Sequence, residues 1–303
     1  MARPVALSVI VAVQHAQANL PQVVAALDPA AHPDVEFVFA YTPDDPETPR
    51  LVGGCANTRL LRSPASSLIP HLWRDGIRGA RAARVAMTTA ACVPAADWMD
   101  RLLAADLSDC AGMGGTIDND PTADAVGWAI YLLRYAAFAP PRPPGEVAEI
   151  AADNALYRRE EILHEADLLA DGFWEPGFHA RFRARGAGLR LDPSLRVRHH
   201  NRYTVGQFLA QRRAHGRAFG RERACGLVWP RRILLAAASP LLPLVFLAKI
   251  VRTTRGRDEL VHHLPQAAPW LALFLLGWGL GEARGYLDAL APGARALPSK
   301  GPA

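Results

Sequence analysis

The sequence predicts an α/β fold with a mostly parallel sheet flanked by helices, followed by an apolar helical hairpin. The continuous apolar run Leu7–Val13 and a second apolar strand, Val35–Tyr41, are typical of strands buried on both faces of a parallel sheet. Helical segments separate these strands from later ones, and such alternation implies right-handed crossovers. Two later stretches, 233–251 and 264–281, carry one charge between them and are long enough for membrane helices.

The first half of the chain is predicted to alternate strands and helices. Asn19 can cap the helix that follows the first strand and runs to about Leu27. Pro21 is tolerated in the first turn of this helix. The second strand ends in a turn-rich segment that contains Asp44 and Asp45. The remaining predicted elements of this half are a helix over 66–83, a strand over Val85–Met87, a helix from Asp97 to Ala105 and a strand over 111–117.

A proline-rich loop, 140–144, precedes the second half. The elements predicted there are a short strand or turn at Asp153–Tyr157, helices at Arg159–Leu169 and Glu175–Arg185, a strand at Leu189–Val197 and a basic helix at Thr204–Ala224. We therefore expect three parts: an α/β domain over 1–225, a membrane-associated hairpin over 226–290 and a disordered tail over 291–303.

The net charge of +5 is concentrated before the first apolar stretch, where seven arginines lie between residues 212 and 232. A basic run beside an apolar segment is expected at an anionic cytoplasmic leaflet, so the lipid bilayer is a predicted partner. A solvated basic helix is the alternative. Nucleic acid is not expected as a partner, because no aromatic-interleaved groove or nucleic-acid motif accompanies the arginines. The four isolated cysteines indicate reduced thiols.

The hairpin would leave the α/β domain and the C-terminus in the cytoplasm, at the cytoplasmic membrane. No signal peptide is expected, because the first four residues run directly into a strand. The connecting loop, 252–263, carries three arginines, which disagrees with the positive-inside rule for a full crossing. Prolines would also bend both helices. Shallow re-entrant insertion and packing against a partner protein are therefore alternatives to a spanning hairpin.

Several motifs, taken in order, resemble those of the family 2 glycosyltransferases of GT-A type. Ser8–Val11 matches the opening Ser-Val-Ile-Val strand, and Gly114-Gly115 fits a later strand end. Asp153–Arg159 is similar to the Asn-x-Ala-x-Arg-Arg element, and Val197–His199 to the closing strand. The resemblance covers roughly residues 5–225. It implies a Rossmann-like GT-A fold that moves a sugar, with inversion, from a nucleotide-diphosphate donor to a lipid-linked or cell-envelope glycan acceptor in a bacterium.

The family's metal-binding Asp-x-Asp pair is replaced here. The aligned residues are Thr89, Ala90 and Ala91, followed by the soft thiol of Cys92. The resemblance implies Mg²⁺ or Mn²⁺, but these ions favour carboxylate oxygens, so this strand end is predicted to hold them poorly. His199 aligns with a late histidine that can complete the metal site or contact the diphosphate. Arginines could neutralise the diphosphate instead, or serve only at the surface; the candidates are Arg158, Arg159, Arg202 and Arg213.

Ligands of open α/β sheets bind at the carboxyl ends of the strands. The predicted nucleotide-sugar residues are therefore Val13, Gln14, Tyr41, Asp44, Thr89, Ala90, Ala91 and Cys92. Tyr41 stands where the family has a base-contacting aspartate, and it could stack on the base or be a plain rim aromatic. Asp44 and Asp45 could partly replace the lost acid, or only form the turn.

The resemblance places Glu175 at the family's catalytic aspartate, in a first helical turn where the dipole favours its ionised form. Glu175 would take the proton from the acceptor hydroxyl, although an ordinary first-turn acid is the alternative. The residues predicted on the acceptor or diphosphate side are Trp98, Asn154, Arg158, His179 and His199. A catalytically silent scaffold or accessory membrane protein with this fold is the alternative function, because the metal-binding acids are missing.

Overall fold

The computed structural model describes residues 5–54 and 56–288, and these divide into two compact units. The first unit contains the chain up to Thr122 together with Phe138–Arg202. The second contains Ala123–Ala137 and the chain from Tyr203 onward. The predicted domain boundaries at 225 and 290 stay predictions, and the predicted tail, 291–303, lies outside the described residues.

One mixed sheet forms the framework of the first unit. Its strands are β1 (Leu7–Val13), β2 (Val35–Tyr41), β3 (Thr58–Arg62), β4 (Arg84–Thr89), β5 (Cys92–Pro94), β6 (Cys110–Asn119), β7 (Gly145–Val147), β8 (Asn154–Arg158) and β9 (Gly188–His199). The order is β3-β2-β1-β4-β8-β6-β9-β5, and β7 also pairs with β9. Only β5, β7 and β8 run against the other strands, so the predicted mostly parallel α/β class is confirmed.

Register brings the carboxyl ends of four parallel strands to the same edge of the sheet. Val13 of β1 is the partner of Tyr41 of β2, which in turn pairs with Arg62 of β3. On the other side of β1, Ala12 is the partner of Thr89, the last residue of β4. All seven residues of β1 are buried, as the apolar run predicts for a central parallel strand.

Helices of the first unit cover both faces of this sheet. They are α1 (Leu20–Leu27), α2 (Thr48–Val52), α3 (Ile69–Gly79), α4 (Trp98–Ala104), α6 (Arg159–His164), α7 (Ala166–Leu169) and α8 (Glu175–Ala184). Phe178 and Phe182 of α8 are fully buried in one core cluster with α3, Ile10 of β1 and Met87 of β4. They form the apolar stripe of α8, as helical spacing at i and i+4 favours.

Three local predictions were wrong in detail. Asn19 precedes α1 without making a side-chain cap, because its amide is used in bonds to His200 and Arg202. The helix predicted over 66–83 is shorter, since Ala80 is extended. The single helix predicted over 159–169 is interrupted at Glu165, whose carboxylate forms ion pairs with Arg181 of α8 and with Arg185 directly after it.

The second unit is helical. Its described helices are α5 (Ala125–Tyr135), α9 (Val205–Ala224), α10 (Trp229–Ala238), α11 (Leu242–Thr254) and α12 (Asp258–Asp288). The backbones of α9 and α12 touch at glycines: a Cβ added at Gly216 would collide with the Trp278 carbonyl, and one at Gly281 with the Arg213 carbonyl. This close packing explains why small residues recur at four-residue spacing in both helices.

The first apolar stretch forms a helical run, Trp229–Thr254, and among the described residues this run alone is long and apolar enough to cross a membrane. The second stretch lies in α12, which starts at Asp258, so most of the loop predicted over 252–263 is helical. Tyr286 in α12 is buried, and its hydroxyl donates to Glu282 over 3.0 Å.

Candidate functional site

The predicted donor residues lie together at the carboxyl edge of the sheet, which we call the strand-end edge and define by Val13, Gln14, Tyr41 and Thr89–Cys92. Val13 and Tyr41 are register partners at its centre. Gln14 is held in place, because its Nε2 donates to the Ser67 carbonyl over 2.9 Å. Tyr41 is the last residue of its strand and is partly exposed.

The two aspartates after β2 have different environments. Asp45 is buried, and its carboxylate accepts hydrogen bonds from the backbone N–H groups of His15, Ala16 and Gln17 at 2.8–3.2 Å. These bonds fix the loop after β1, where His15 adopts a positive φ of 52°. Asp44 is exposed beside this loop. Asp45 is therefore structural, and Asp44 is the acid that remains accessible at the strand-end edge.

The loop after β4 is closely tied to its neighbours. Ala90 N–H donates to the Ala12 carbonyl over 2.9 Å, and His200 N–H donates to the Ala91 carbonyl over 2.7 Å. Cys92 opens β5 and is the register partner of His199 in β9. Ala90, Ala91 and Cys92 have exposed fractions of 5 % or less. The loop keeps the position expected at the end of a central strand but offers a ligand no ionised side chain.

The side chains at this loop do not fit a divalent cation. Thr89 contributes one hydroxyl, and its Oγ1 donates to Oδ1 of Asp153 over 3.4 Å. No group of three or more His, Cys, Asp or Glu side chains suited to a metal occurs in residues 5–54 and 56–288. Mg²⁺ and Mn²⁺ need several oxygen ligands, usually including carboxylates. The donor set here therefore disagrees with the cation that the resemblance implies.

Glu175 is the first residue of α8 and lies beside the loop that precedes β8. Its Oε1 accepts a hydrogen bond from the Ala152 N–H over 3.2 Å, and its side chain is half-buried. Asp153, the next residue in that loop, is the one that accepts from Thr89. These two bonds link Glu175 to the end of β4 through consecutive residues. The structure thus brings the predicted base to the strand-end edge.

His179 does not face a ligand. It is 1 % exposed, and its Nε2 lies 2.9 Å from the hydroxyl of Tyr157, which is also buried. Burial, with a smaller contribution from Arg183, lowers the pKa of His179 to about 3. Burial and the Glu175 charge raise the pKa of Tyr157, so its hydroxyl keeps its proton and can donate to the neutral ring. The predicted acceptor-side role of His179 is therefore replaced by a core hydrogen bond.

We expect His179 to make the protein acid-sensitive. Between about pH 6.5 and pH 3 the His179 ring is protonated in the unfolded chain but neutral in the native protein. The free energy of unfolding therefore falls as the pH is lowered through this window. Between pH 6.5 and 5 the loss is about 2 kcal/mol. The variant His179→Gln cannot be protonated, and its urea midpoint should fall less between these two pH values than that of the wild type. An equal fall in both proteins would contradict this assignment.

Trp98 and Asn154 are also structural. Both are fully buried, and Trp98 Nε1 donates to Oδ1 of Asn154 over 2.8 Å. The Asn154 Nδ2 donates to the carbonyls of Thr116 and Leu195, each over 2.9 Å. Every polar group of the Asn154 side chain thus has a partner within the first unit. The prediction that these two residues face the acceptor or diphosphate was wrong, because motif position does not reveal which face of a strand a side chain occupies.

Arg158 lies at the opposite end of the sheet. In the antiparallel pairing of β8 with β4 it is the partner of Arg84, the first residue of β4, whereas the strand-end edge lies at Thr89. Its guanidinium forms an ion pair with Glu161 at 2.5 Å. Arg159 is next to it, and its Nε donates to the Ile77 carbonyl near the end of α3. Neither arginine can contact a ligand at the strand-end edge.

The late histidines are placed beside the loop after β4. His199 is fully buried opposite Cys92, so it lines the loop from within and does not present its ring to solvent. His200 is partly exposed, and its Nδ1 lies 2.8 Å from Oδ2 of Asp120. The pKa of Asp120 is lowered: burial opposes the shift, but bonds from Thr122 and His200 favour its ionised form.

Sequence reasoning missed three residues at this edge. Asp153 was seen only as part of the β8 motif, although an acid directly before a buried strand was an available signal. Asn19 was assigned to a helix cap, and Asp120 was not considered. Their contacts are with Thr89 at the end of β4 and with residues directly after β9, and the bond from Asn19 to His200 spans 181 residues of sequence. Such contacts cannot be inferred from local pattern alone.

Comparisons with known proteins establish the fold alone. No protein-family model matches the chain, and no curated protein matches it. Among solved structures, the mannosyltransferase PcManGT from Pyrobaculum calidifontis, in complex with GDP-Man and Mn²⁺, is similar with a TM-score of 0.50 and 15 % identity, over 96 % of this chain and 88 % of that one. A mycobacterial protein has a TM-score of 0.46 and 13 % identity, over 69 % and 72 % of the two chains. The predicted GT-A fold class agrees with the first of these.

Proposed function

We propose that this protein is a glycosyltransferase that moves a sugar from a nucleoside diphosphate to a hydroxyl acceptor. One observation carries the proposal: Glu175 of α8 is linked to the end of β4 through Ala152 and Asp153. A half-buried carboxylate thereby lies beside the edge where open α/β sheets bind their ligands. The shared fold with a mannosyltransferase supports the same conclusion.

In the proposed reaction, the acceptor hydroxyl attacks the anomeric carbon of the donor sugar. Glu175 takes the hydroxyl proton as the new glycosidic bond forms, and the bond from the sugar to the diphosphate breaks with its electron pair. A single displacement of this kind inverts the anomeric configuration. The Ala152 N–H bond orients the carboxylate of Glu175, which takes the proton.

The donor is proposed to bind along the strand-end edge. Tyr41 can stack on the base or donate to it, Asp44 is an accessible acid beside it, and Gln14 is fixed at the end of β1. The loop from Thr89 to Cys92 would face the diphosphate. No residue here identifies one base or one sugar, so the proposal is limited to the class of nucleoside diphosphate sugars.

Nucleotide binding tests this proposal against the scaffold alternative. Calorimetric titration of the full chain with UDP, GDP and dTDP, each with and without Mn²⁺, should show saturable binding of at least one of them. A binding nucleotide then identifies the sugar donors for a transfer assay. The missing Asp-x-Asp acids favour a silent scaffold, and absence of binding under either condition would contradict the transferase proposal.

We also propose that the second unit attaches the protein to the cytoplasmic membrane, with the catalytic unit in the cytoplasm. The run Trp229–Thr254 exposes large apolar side chains, including Leu234 and Leu244 at 67 % each. Arg231 and Arg232 near its start fit the anionic headgroups of a cytoplasmic leaflet. A membrane location also favours a lipid-linked or cell-envelope glycan acceptor, because such an acceptor is held at the same surface.

Liposome flotation measures this attachment. The double variant Leu234→Asp/Leu244→Asp should reduce the bound fraction on anionic vesicles at least tenfold, because each buried charge costs roughly 3 kcal/mol in a membrane. Both side chains are exposed, so the fold should persist. Leu60→Asp, at an exposed leucine of β3, is the matched control and should float like the wild type. Full flotation of the double variant would exclude Trp229–Thr254 as the attachment segment.

A further inference from the structure

The strand-end edge lacks the ligands for a cation, yet a nucleoside diphosphate carries at least two negative charges that must be balanced there. We propose that Arg202 supplies this balance and that the protein binds the donor diphosphate without a divalent metal. The inference rests on the proposed function and concerns the same edge of the sheet. It follows from the different environments of the arginines that the sequence offered as candidates.

The four candidate arginines lie in different parts of the structure. Arg158 and Arg159 lie at the opposite end of β4, where Arg158 is paired with Glu161. Arg213 belongs to the second unit. Arg202, the last residue of the first unit, is exposed and follows β9 directly after the residues that contact the loop after β4. Of the four, Arg202 is the one that the first unit places at the strand-end edge.

A chain of three hydrogen bonds connects Arg202 to the loop that replaces the Asp-x-Asp pair. Arg202 Nε donates to Oδ1 of Asn19 over 2.5 Å, and Asn19 Nδ2 donates to the His200 carbonyl over 3.1 Å. His200 N–H donates to the Ala91 carbonyl over 2.7 Å. Asn19 is fully buried, so it is a fixed support rather than a mobile surface side chain. Arg202 is therefore tied both to the loop after β1 and to the loop after β4.

The bond between Arg202 and Asn19 is compatible with anion binding by the Arg202 guanidinium. Asn19 is a neutral amide, so it orients the guanidinium without neutralising its charge. The bond uses Nε, and the planar guanidinium has two terminal nitrogens that can form paired hydrogen bonds to phosphate oxygens. Two other arginines of this unit are held by carboxylates: Arg101 by Asp97 and Arg196 by Asp118. The charges of these two are already balanced, whereas Arg202 is held by an uncharged partner that is itself bonded to His200, next to the loop after β4.

Titration of the full chain with GDP, UDP and dTDP in EDTA and in Mn²⁺ tests metal independence. We expect the dissociation constant of the tightest-binding nucleotide to differ by less than about twofold between the two conditions. A metal ion that contacted the diphosphate would lower this constant at least about tenfold. Binding that appears only with Mn²⁺ would overturn this inference and leave the proposed function intact. Absence of binding in both conditions would overturn the proposed function, and this inference with it.

Variants then test the residue. Arg202→Gln should weaken binding of the diphosphate about 10- to 100-fold, as expected for lost hydrogen bonds to a charged group. Arg202→Lys keeps the positive charge but loses the paired terminal nitrogens of the guanidinium. Its affinity for the diphosphate should lie between those of the wild type and Arg202→Gln. Arg158→Gln, at the opposite end of the sheet, is the control and should bind like the wild type. Because Arg202 is exposed, its variants should keep the wild-type circular dichroism spectrum. A folded Arg202→Gln protein with unchanged affinity would overturn the assignment.

Discussion

Replacing Glu175 by Gln is expected to reduce sugar transfer about 1000-fold, within the range measured for loss of a general base. This corresponds to about 4 kcal/mol of transition-state stabilisation. The amide oxygen of Gln can still accept the bond from Ala152 N–H, so the local geometry should be kept. What is lost is the ability to take the acceptor proton. The transfer rate at saturating donor, measured by release of the nucleoside diphosphate, gives the effect.

Donor affinity should change less than about twofold in the Glu175→Gln variant, because the proposed base contacts the acceptor and not the diphosphate. Glu160→Gln is a matched control: Glu160 is also in the first turn of a helix, but its side chain is 75 % exposed at the opposite end of the sheet. It should transfer at the wild-type rate. Unchanged turnover in Glu175→Gln would contradict the assignment of Glu175 as the base. A large loss of donor affinity would indicate that Glu175 binds the donor instead.

The sheet could be predicted well because its signal is local. β1 and β2 are apolar apart from Ser8 and Glu36 and are followed by turns, and burial on both faces requires a largely apolar composition. The elements that were missed lack this signal. β3 is a half-exposed edge strand, and β5 has three residues. α5 was also missed, although Asp124 caps it by accepting from Gly127 N–H over 2.7 Å, which is a recognisable helix start.

The candidate site could be predicted only in outline. Topology requires the ends of β1, β2 and β4 to meet, so Val13, Tyr41 and Thr89 were correctly grouped. The individual side chains were harder, because polar residues in a strand motif can serve the core or a ligand equally well. His179 and Asn154 are polar but satisfied inside the protein. Only their long-range partners show this, and no spacing in the sequence encodes them.

The second large effect is expected for Asn154→Ala, which should destabilise the first unit by about 4 kcal/mol. The substitution removes three buried hydrogen bonds and leaves the Trp98 N–H and the carbonyls of Thr116 and Leu195 without that partner. Each buried polar group left unsatisfied costs roughly 1–3 kcal/mol. The loss should appear as a reduction of roughly 10 °C in the melting temperature.

The same variant separates a structural role from a ligand-binding role. Asn154 joins three strands, since β8 carries it and its amide bonds to carbonyls of β6 and β9. At a temperature where the variant is still folded, we therefore expect its affinity for nucleotides to match that of the wild type. Trp98→Phe removes one of the three bonds and keeps most of the buried ring, so it should cost about 2 kcal/mol, less than Asn154→Ala. A stable Asn154→Ala protein with weakened nucleotide binding would contradict the structural role and would indicate that Asn154 contacts the donor.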